Sequence, residues 1–210
     1  MPVTEVISAS DHKSAEKAAL ILKKGGVIVY PTETLYGIGA LASNNDAVER
    51  IFEIKGRPHG KPIPLLIKNL EMLSKIAEGS QLASAMAQEY WPGALTIILK
   101  QKAMLPGLIT CGTGKIALRI SAHPFLQSLF DLIEEPLTST SANISGDSNI
   151  SDSEELFETF NGKVDLIVDS GKIPESRGST IVDLTLDPPQ VLREGDINSA
   201  ILKEFIDGHS

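Results

Sequence analysis

The sequence predicts an α/β protein built on an open, twisted, mixed sheet with helices packed against it. Two observations indicate this class. Short apolar runs of strand length are interleaved with stretches whose apolar residues recur at helical spacing. Near the C-terminus, short strand-like runs come in close succession, which is typical of antiparallel pairing within a mixed sheet.

The helices are predicted from apolar periodicity and from residues that end helices. The first covers about 11–24, where small apolar residues and Leu22 share one face, and Gly25-Gly26 ends it. The second covers about 46–55, and Gly56 is placed to cap its C-terminus. The other predicted helices are two stretches within 70–90 that break near Gly79, then 124–132, 154–160 and 197–206.

The strands are predicted from short runs of β-branched and aliphatic residues that are bounded by glycine, proline or polar residues. The first run is Val27 to Tyr30, and Pro31 ends it. The later predicted strands are 63–67, 94–100, 115–120, 137–140, 164–169, 179–184 and 190–193. The segments predicted as loops are 32–45, 101–114 and 141–151.

Composition and length predict one soluble domain over residues 1–210, because 42% hydrophobic residues in 210 suit a single full core. No apolar run approaches the roughly 20 residues that span a bilayer, and residues 1–14 carry no apolar signal segment. The single cysteine, Cys111, cannot form an internal disulfide. We therefore expect a cytoplasmic protein without membrane contact. The net charge of −8 argues against a general DNA coat.

Positive charge is concentrated in one segment of this acidic chain. Between residues 50 and 68 there are five cations and one anion, Glu53, which is a local charge of +4. The cations are Arg50, Lys55, Arg57, Lys61 and Lys68. Charge alone favours a solvated face and an anion site about equally. Glycines and prolines among the cations favour the anion site, because Gly56 and Pro58 shape the backbone around Arg57 and limit its freedom.

Several familiar catalytic motifs are absent from the sequence. The segment Gly112-Thr113-Gly114-Lys115 is not a phosphate loop, because isoleucines occupy positions where such a loop needs glycine and a hydroxyl residue. The glycines of Gly37-Ile38-Gly39 lie too far from a helix start for a dinucleotide fingerprint. The four histidines lack metal-ligand spacing, and no Gly-x-Ser-x-Gly elbow exists.

Polar segments at predicted strand ends are the positive signals, since open α/β sheets bind ligands there. Residues 31–39 and 139–146 each combine hydroxyls with other polar groups, although capped turns would look similar. Arg119 is an isolated arginine at the end of an apolar strand, suited either to a small carboxylate or to an edge-strand ion pair. Ser179-Thr180 and Arg193 are by themselves ordinary surface residues.

In this order and spacing, these segments resemble the YrdC-like threonylcarbamoyl-AMP synthases over about residues 13–195. The segments that carry the resemblance are Pro31-Thr32-Glu33-Thr34 with Tyr36-Gly37, Lys55-Gly56-Arg57-Pro58, Ser141-Ala142-Asn143-Ile144-Ser145-Gly146, Ser179-Thr180 and Leu192-Arg193. The resemblance implies the open, twisted fold that this family shares with DHBP synthase, with a concave, positively charged face.

The resemblance further implies a nucleotidyltransferase that makes L-threonylcarbamoyl-adenylate from L-threonine, bicarbonate and ATP and releases pyrophosphate. A threonylcarbamoyl-transferase complex would then modify N6 of adenosine 37 in tRNA. Mg²⁺ is expected with ATP, and weak tRNA binding is a further expectation. The main alternative is a paralogue of the same fold that binds tRNA or double-stranded RNA without synthase activity. Two others are a carbamoyl-adenylate-forming relative with another acceptor and a paralogue inactive on threonine.

Residue roles follow from the resemblance position by position. Lys55 and Arg57 are the implied catalytic residues. The implied ATP contacts are Lys55, Arg57, Lys61, Ser141, Asn143, Ser179, Thr180 and Arg193. The implied threonine contacts are Thr32, Thr34, Arg119 and Ser139. No acidic cluster indicates a metal site.

The chain departs from the family pattern at three positions. Lys61 stands where longer members have asparagine, and Leu66 stands where they have a histidine that contacts threonine. Asn149 replaces a serine that contacts the nucleotide in some members. The chain therefore looks like the short, single-domain form, and with Leu66 in place of that histidine the sequence leaves open how threonine is held.

Overall fold

The computed structural model describes residues 3–209, and within that range helices and strands are interleaved, so the predicted α/β class is confirmed. The strands are β1 (Glu5–Ser8), β2 (Ile28–Tyr30), β3 (Gly37–Gly39), β4 (Leu65–Leu66), β5 (Leu95–Lys100), β6 (Lys115–Arg119), β7 (Leu137–Thr138), β8 (Thr140–Ser141), β9 (Leu166–Asp169), β10 (Thr180–Asp183) and β11 (Gln190–Arg193). The helices are α1 (Ser14–Lys23), α2 (Asn45–Lys55), α3 (Leu70–Ile76), α4 (Gln81–Tyr90), α5 (Gly107–Thr110), α6 (Pro124–Phe130), α7 (Ser153–Phe160) and α8 (Ser199–Asp207).

The strands divide between two mixed sheets, whereas the sequence led us to expect one. The first sheet has the order β1-β9-β2-β3-β8, and the second has the order β11-β10-β5-β6-β4-β7. Strand β2 pairs parallel to β9 and antiparallel to β3, and β5 pairs parallel to β10 and antiparallel to β6. The apolar runs identify the strands but not their partners, so the division could not be predicted from them.

The chain crosses from the second sheet to the first at Ser139, between β7 and β8. Beside this crossing, the amide of Ala40 donates to Thr138 Oγ1, and the amide of Thr138 donates to Ala40 O. A Cβ atom on Gly39 would lie 1.9 Å from Thr138 O, so only glycine allows this approach. The glycines explain why β3 was wrongly predicted as part of a loop, since glycine is depleted in strands.

Two clusters of buried apolar side chains form the core, and β2 lies between them. Val29 belongs to the larger cluster, which includes Phe52 of α2. Ile28 and Tyr30 belong to the smaller cluster, which includes Leu126 of α6. Alternate side chains of a strand point to opposite faces, so this strand contributes to both clusters.

Helix α2 ends as the sequence predicts, and its end determines where the cations of residues 50–68, the basic segment, are placed. Asn44 caps its N-terminus by accepting a hydrogen bond from the amide of Ala47. Gly56 adopts the left-handed conformation with φ of 58° at its C-terminus, so the predicted cap is confirmed. Lys55 is therefore the last helical residue, and Arg57 follows the turn.

Most predicted elements are present, but β1 and α5 were missed as well as β3, and the predicted strand 137–140 is divided between β7 and β8. Strand β1 escaped prediction because it is an edge strand whose residues are largely exposed, so it has no apolar run. Helix α5 lies within the predicted loop 101–114 and has only four residues. The predicted strand 63–67 is reduced to Leu65–Leu66.

Among residues 3–209, no helix is long and apolar enough to cross a membrane. The expectation of one domain over residues 1–210 stays a prediction. Residues 1, 2 and 210, the outermost positions of that range, lie outside the described residues.

Candidate functional site

A cavity of about 550 Å³ lies between one face of the second sheet and the segment that joins β2 to β3. Its floor is formed by alternate residues of neighbouring strands, which face the same side of a sheet. These floor residues are Thr96 and Ile98 of β5, Lys115, Ala117 and Arg119 of β6, and Ile181 and Asp183 of β10. The centre of the floor is therefore small or apolar, and its ends are polar.

Positive charge predominates in this cavity, although the chain carries a net charge of −8. Of the described residues that line it, five are cationic, namely Lys115 and the arginines at 57, 119, 177 and 193, and one is acidic. That acidic residue, Asp183, accepts bonds from Thr185 and lies 3.0 Å from Lys115 Nζ. Burial would raise the pKa of Asp183, but the bonds from Thr185 and the charge of Lys115 outweigh burial and lower the pKa. The cavity is suited to an anionic ligand.

Arg119 lies at one end of the floor and is 8% exposed. Its Nε donates to Gly93 O at 2.9 Å, and its Nη1 and Nη2 both donate to Thr34 Oγ1 at 3.1 Å. Its Nη2 also lies 2.8 Å from Glu33 Oε1 in an ion pair. Both interpretations of Arg119 therefore survive, because it is ion-paired and also lines the cavity. Leu66 is its register partner on β4 and gives this end an apolar wall.

The hydroxyls of Thr32 and Thr34 also line this end, but both hydrogens are already used. Thr32 Oγ1 donates to Leu35 O at 2.6 Å and accepts from the amides of Thr34 and Leu35. The 3.0 Å contact between the two threonine hydroxyls must then be a donation from Thr34 to Thr32. In this arrangement, Thr32 Oγ1 also accepts from Thr34, and Thr34 Oγ1 accepts from both terminal nitrogens of Arg119, so each hydroxyl would have to give up a protein hydrogen bond to contact a ligand. Ser139, at the crossing between the sheets, lies at the same cavity.

Lys55 is not among the residues that line the cavity, although the sequence predicts it as a catalytic residue. It is 2% exposed, and its ammonium donates to Ser141 O at 2.6 Å and to Asn143 O at 2.5 Å. Burial and the charge of Arg57 lower the pKa of Lys55 to about 8. The lysine holds the loop that follows β8, and its predicted phosphate contact stays a prediction.

The loop held by Lys55 contains the next two predicted nucleotide contacts. Ser141 lines the cavity, but its hydroxyl donates to Asn143 Oδ1 at 2.6 Å. Asn143 is 7% exposed, and its amide nitrogen donates to Ile144 O and Asp147 O. The side chain of Asn143 therefore stabilises the loop through these hydrogen bonds and does not line the cavity. Asn149, which replaces the family serine, does line the cavity.

Of the five cations in the basic segment, only Arg57 lines the cavity. Its Nε and Nη2 donate to Lys61 O and Pro62 O, which leaves Nη1 and one Nη2 hydrogen without a protein partner in the described part of the chain. Arg50 pairs with Asp165, and Lys68 pairs with Asp131. The interpretation of the segment as one cationic site is thus wrong for these two residues. Lys61 is exposed and lies outside the lining.

The segment around β10 and β11 places two of its three predicted residues at the cavity. Ser179 and Arg193 line it, and Arg193 Nη2 donates to Ser179 O at 2.7 Å. Thr180 is fully buried outside the lining, and its hydroxyl donates to Ile197 O and accepts from the amide of Gly195. Its predicted nucleotide contact stays a prediction, since the side chain serves the loop 195–197 here.

Three charged residues of the cavity escaped the sequence analysis. Lys115 and Asp183 lie on strands whose shared face could not be known, and Arg177 lies in an irregular segment. The signal available in sequence was that Lys115 and Arg119 belong to the same face of one strand. No group of three or more potential metal-ligating side chains occurs among residues 3–209.

Comparisons with known proteins find relatives in sequence and in structure. Residues 20–195 match the model of the Sua5, YciO and YrdC family, which is described as telomere recombination. The chain is 39% identical over 181 residues to a threonylcarbamoyl-AMP synthase of Pyrococcus abyssi, covering 86% of this chain and 53% of the relative. It is 35% identical over 207 residues to the enzyme of that name from Bacillus subtilis, covering 97% and 59%.

A solved structure shows the same fold. The P. abyssi Sua5 protein complexed with L-threonine superposes with a TM-score of 0.89 at 35% identity, covering 98% of this chain and 61% of that chain. The chain therefore spans somewhat more than half the length of these relatives.

Proposed function

This chain belongs to the Sua5, YciO and YrdC family, and on that premise we propose that it is an ATP-dependent L-threonylcarbamoyl-adenylate synthase. One observation carries the proposal. Residues that the sequence assigns to threonine and residues that it assigns to ATP line one cationic cavity. Those at the Arg119 end are Thr32, Thr34 and Ser139, and those assigned to ATP are Arg57, Ser141, Ser179 and Arg193.

The proposed reaction forms two bonds in sequence. The neutral amine of L-threonine attacks the carbon of CO2 or bicarbonate and gives a carbamate. The reaction with CO2 releases a proton, and the reaction with bicarbonate releases water instead. A carbamate oxygen then attacks the α-phosphorus of ATP, and the bond from that phosphorus to the bridging oxygen breaks as pyrophosphate leaves. The protein contributes positioning and charge stabilisation rather than a nucleophile.

The amino-acid end offers one cation, Arg119, which faces the carboxylate of L-threonine. Thr32 and Thr34 line the same end, and each would exchange a protein hydrogen bond for one to the substrate amine. The described lining includes no histidine, and its one carboxylate, Asp183, is paired with Lys115. We therefore propose that solvent rather than a side chain takes the amine proton, so that the rate rises with pH toward the pKa of the amine.

The phosphate end is served by arginine more than by lysine. Among residues 3–209, three N–H groups of Arg57 have no protein partner, which is enough for two phosphate oxygens. A cation about 4 Å from a phosphate charge gains about 4 kcal/mol at a surface-like dielectric before desolvation. The developing charge on pyrophosphate therefore requires Arg57 together with Arg193, and we assign both to the nucleotide.

The described residues do not fit a protein-held Mg²⁺ site. Asp183 is the cavity's one carboxylate, and both of its oxygens already accept bonds from protein donors. Mg²⁺ prefers several oxygen ligands and usually keeps waters and phosphates among them. That ATP arrives as its magnesium complex remains a proposal without a protein ligand.

The biological setting extends the same proposal. The product would pass to a transferase that modifies adenosine 37 of tRNA, in the cytoplasm. The alternative of an RNA-binding paralogue without synthase activity gains nothing from this cavity, which is lined by strand residues around a small apolar floor.

The decisive experiment is pyrophosphate release from ATP by the purified chain, with one component omitted at a time. We expect release to require both L-threonine and bicarbonate, and the adenylate to be identifiable by mass spectrometry. D-Threonine is the matched control. Equal release without L-threonine would overturn the proposal. Inactivity combined with steeply salt-dependent tRNA binding would favour the RNA-binding alternative.

A further inference from the structure

We infer that Glu33 is a positioning residue that holds Arg119 at the amino-acid end of the cavity. This inference rests on the proposed function, because it concerns how the same site orients the substrate carboxylate. Glu33 does not line the cavity, whereas Arg119 does. The glutamate therefore lies behind the arginine and acts on the ligand through it.

The hydrogen-bond inventory of Arg119 shows why its position needs support. A guanidinium has five N–H groups. Gly93 O takes the one on Nε, and Thr34 Oγ1 takes one from each terminal nitrogen. Two hydrogens remain, and the one on Nη2 faces Glu33 Oε1 at 2.8 Å. A single Nη1 hydrogen is left for a ligand, so a small tilt of the guanidinium removes it from the cavity.

Glu33 is itself held rigidly. Its Oε2 accepts a short hydrogen bond from the hydroxyl of Ser121, which also accepts from the amide of His123. Its Oε1 is buried and makes no well-aligned hydrogen bond in the described structure, so it depends on the charge of Arg119. Burial would raise the pKa of Glu33, but the charge of Arg119 and the bond from Ser121 outweigh burial and lower the pKa.

Repulsion between Arg119 and Arg193 explains why Arg119 needs a negatively charged partner. Arg193 lies close enough to Arg119 that its pKa is lowered, first by burial and then by the charge of Arg119. Two like charges in one cavity push each other apart. The ion pair with Glu33 attracts Arg119 and opposes that displacement. His123, which also faces Glu33, has a pKa lowered by burial despite that carboxylate and adds no charge at neutral pH.

The test is a KM comparison for L-threonine and ATP in Glu33 variants, with pyrophosphate release as the assay. We expect Glu33→Ala to raise KM for L-threonine about tenfold and Glu33→Gln about threefold, since glutamine keeps an acceptor for Nη2 but not the charge. KM for ATP should stay within twofold in both variants. The matched control is Glu194→Gln, which removes the acidic partner of another cavity arginine, Arg177, and should leave KM for L-threonine unchanged.

A double mutant separates positioning from simple structural support. If Glu33 acts through Arg119, Glu33→Gln should add nothing further in an Arg119→Ala background. An unchanged or lowered KM for L-threonine in Glu33→Ala, or additive effects in the double mutant, would overturn the inference. A purely structural pair would lower Tm and leave both KM values unchanged.

The two proposals fail in different ways. A wild-type chain without threonine-dependent release refutes the proposed function. Binding of L-threonine is then measured by calorimetry in wild type and in both Glu33 variants, and equal affinities overturn the role of Glu33. Should Glu33→Ala fail to fold, the Glu33→Gln and Ser121→Ala variants give the same comparison, the latter by releasing Oε2 alone.

Discussion

Replacing Lys55 with methionine tests whether this lysine anchors the loop after β8. Methionine keeps an unbranched apolar side chain of similar length but removes the ammonium. The carbonyl oxygens of Ser141 and Asn143 then lose the donor that lies 2.6 Å and 2.5 Å away, respectively. Because Lys55 is only 2% exposed, water does not readily replace the lost donor.

The magnitude follows from these two oxygens. A buried acceptor that loses its donor costs about 1–3 kcal/mol, so at about 1.5 kcal/mol each the free energy of unfolding should fall by about 3 kcal/mol. For chains of roughly 150–250 residues, 1 kcal/mol lowers Tm by roughly 2–4 °C. We therefore expect Tm to fall by about 6–12 °C in Lys55→Met.

The assay combines thermal unfolding with pyrophosphate release at a temperature well below both transitions. The matched control is Arg57→Met, two residues away, which removes a cavity cation whose protein bonds go to the exposed turn 61–62. We expect Arg57→Met to leave Tm nearly unchanged and to lower the rate at least tenfold, which is about 1.4 kcal/mol. Lys55→Met should lower both quantities.

Two results would refute this reasoning. A Lys55→Met protein that unfolds within about 2 °C of wild type would show that the loop is held without the ammonium. An Arg57→Met protein with wild-type rates would remove the proposed phosphate contact, whatever Lys55 does.

Two further predictions concern pH and packing. The pKa of Lys55 is lowered to about 8, so between pH 8 and the ordinary lysine value the unfolded chain binds more protons than the folded chain, and the contribution of Lys55 to stability rises with pH over that window. Denaturant unfolding of wild type and Lys55→Met across this window checks the sign, and a stability difference that does not change in favour of wild type as pH rises would contradict the assignment. Gly39→Ala should lower the free energy of unfolding by about 3 kcal/mol, because the new Cβ would lie 1.9 Å from Thr138 O, whereas Gly79→Ala, with nothing within 4 Å, should not. Denaturant unfolding of the two variants checks this, and equal stabilities would contradict it.

Sequence reasoning identified much of the cavity because its residues stand at strand ends. Thr32, Ser139 and Ser179 belong to polar segments next to apolar runs, and Arg119 ends an apolar run. All four line the cavity. Strand ends are recognisable in sequence, and sheets gather them at common edges. Their binding roles stay predictions until the substitutions above are measured.

The other contacts of the site depend on which distant segments of the chain meet in the fold, and the sequence alone does not show that. The ion pair between Glu33 and Arg119 joins the segment after β2 to the end of β6. Strands β2 and β6 belong to different sheets. For the same reason, the charge count over residues 50–68 overstated how many of these cations reach the cavity. Arg50 and Lys68 find their partners, Asp165 and Asp131, far along the chain, so a local +4 became a single cavity cation.

Lys55 and Arg57 are separated by one glycine, and the turn at that glycine places them in different surroundings. Lys55 ends α2 on its buried face and reaches the loop carbonyls, where its ammonium is costly to bury and its pKa is lowered. Gly56 then takes a φ of 58°, which few other residues tolerate, and turns the chain so that Arg57 emerges at the cavity. Both cations contribute to the site, since the lysine fixes the loop that carries Ser141 and the arginine is free to meet an anion. A Cβ atom at position 56 would meet nothing within 4 Å, but it would strain the left-handed turn on which the placement of both cations depends.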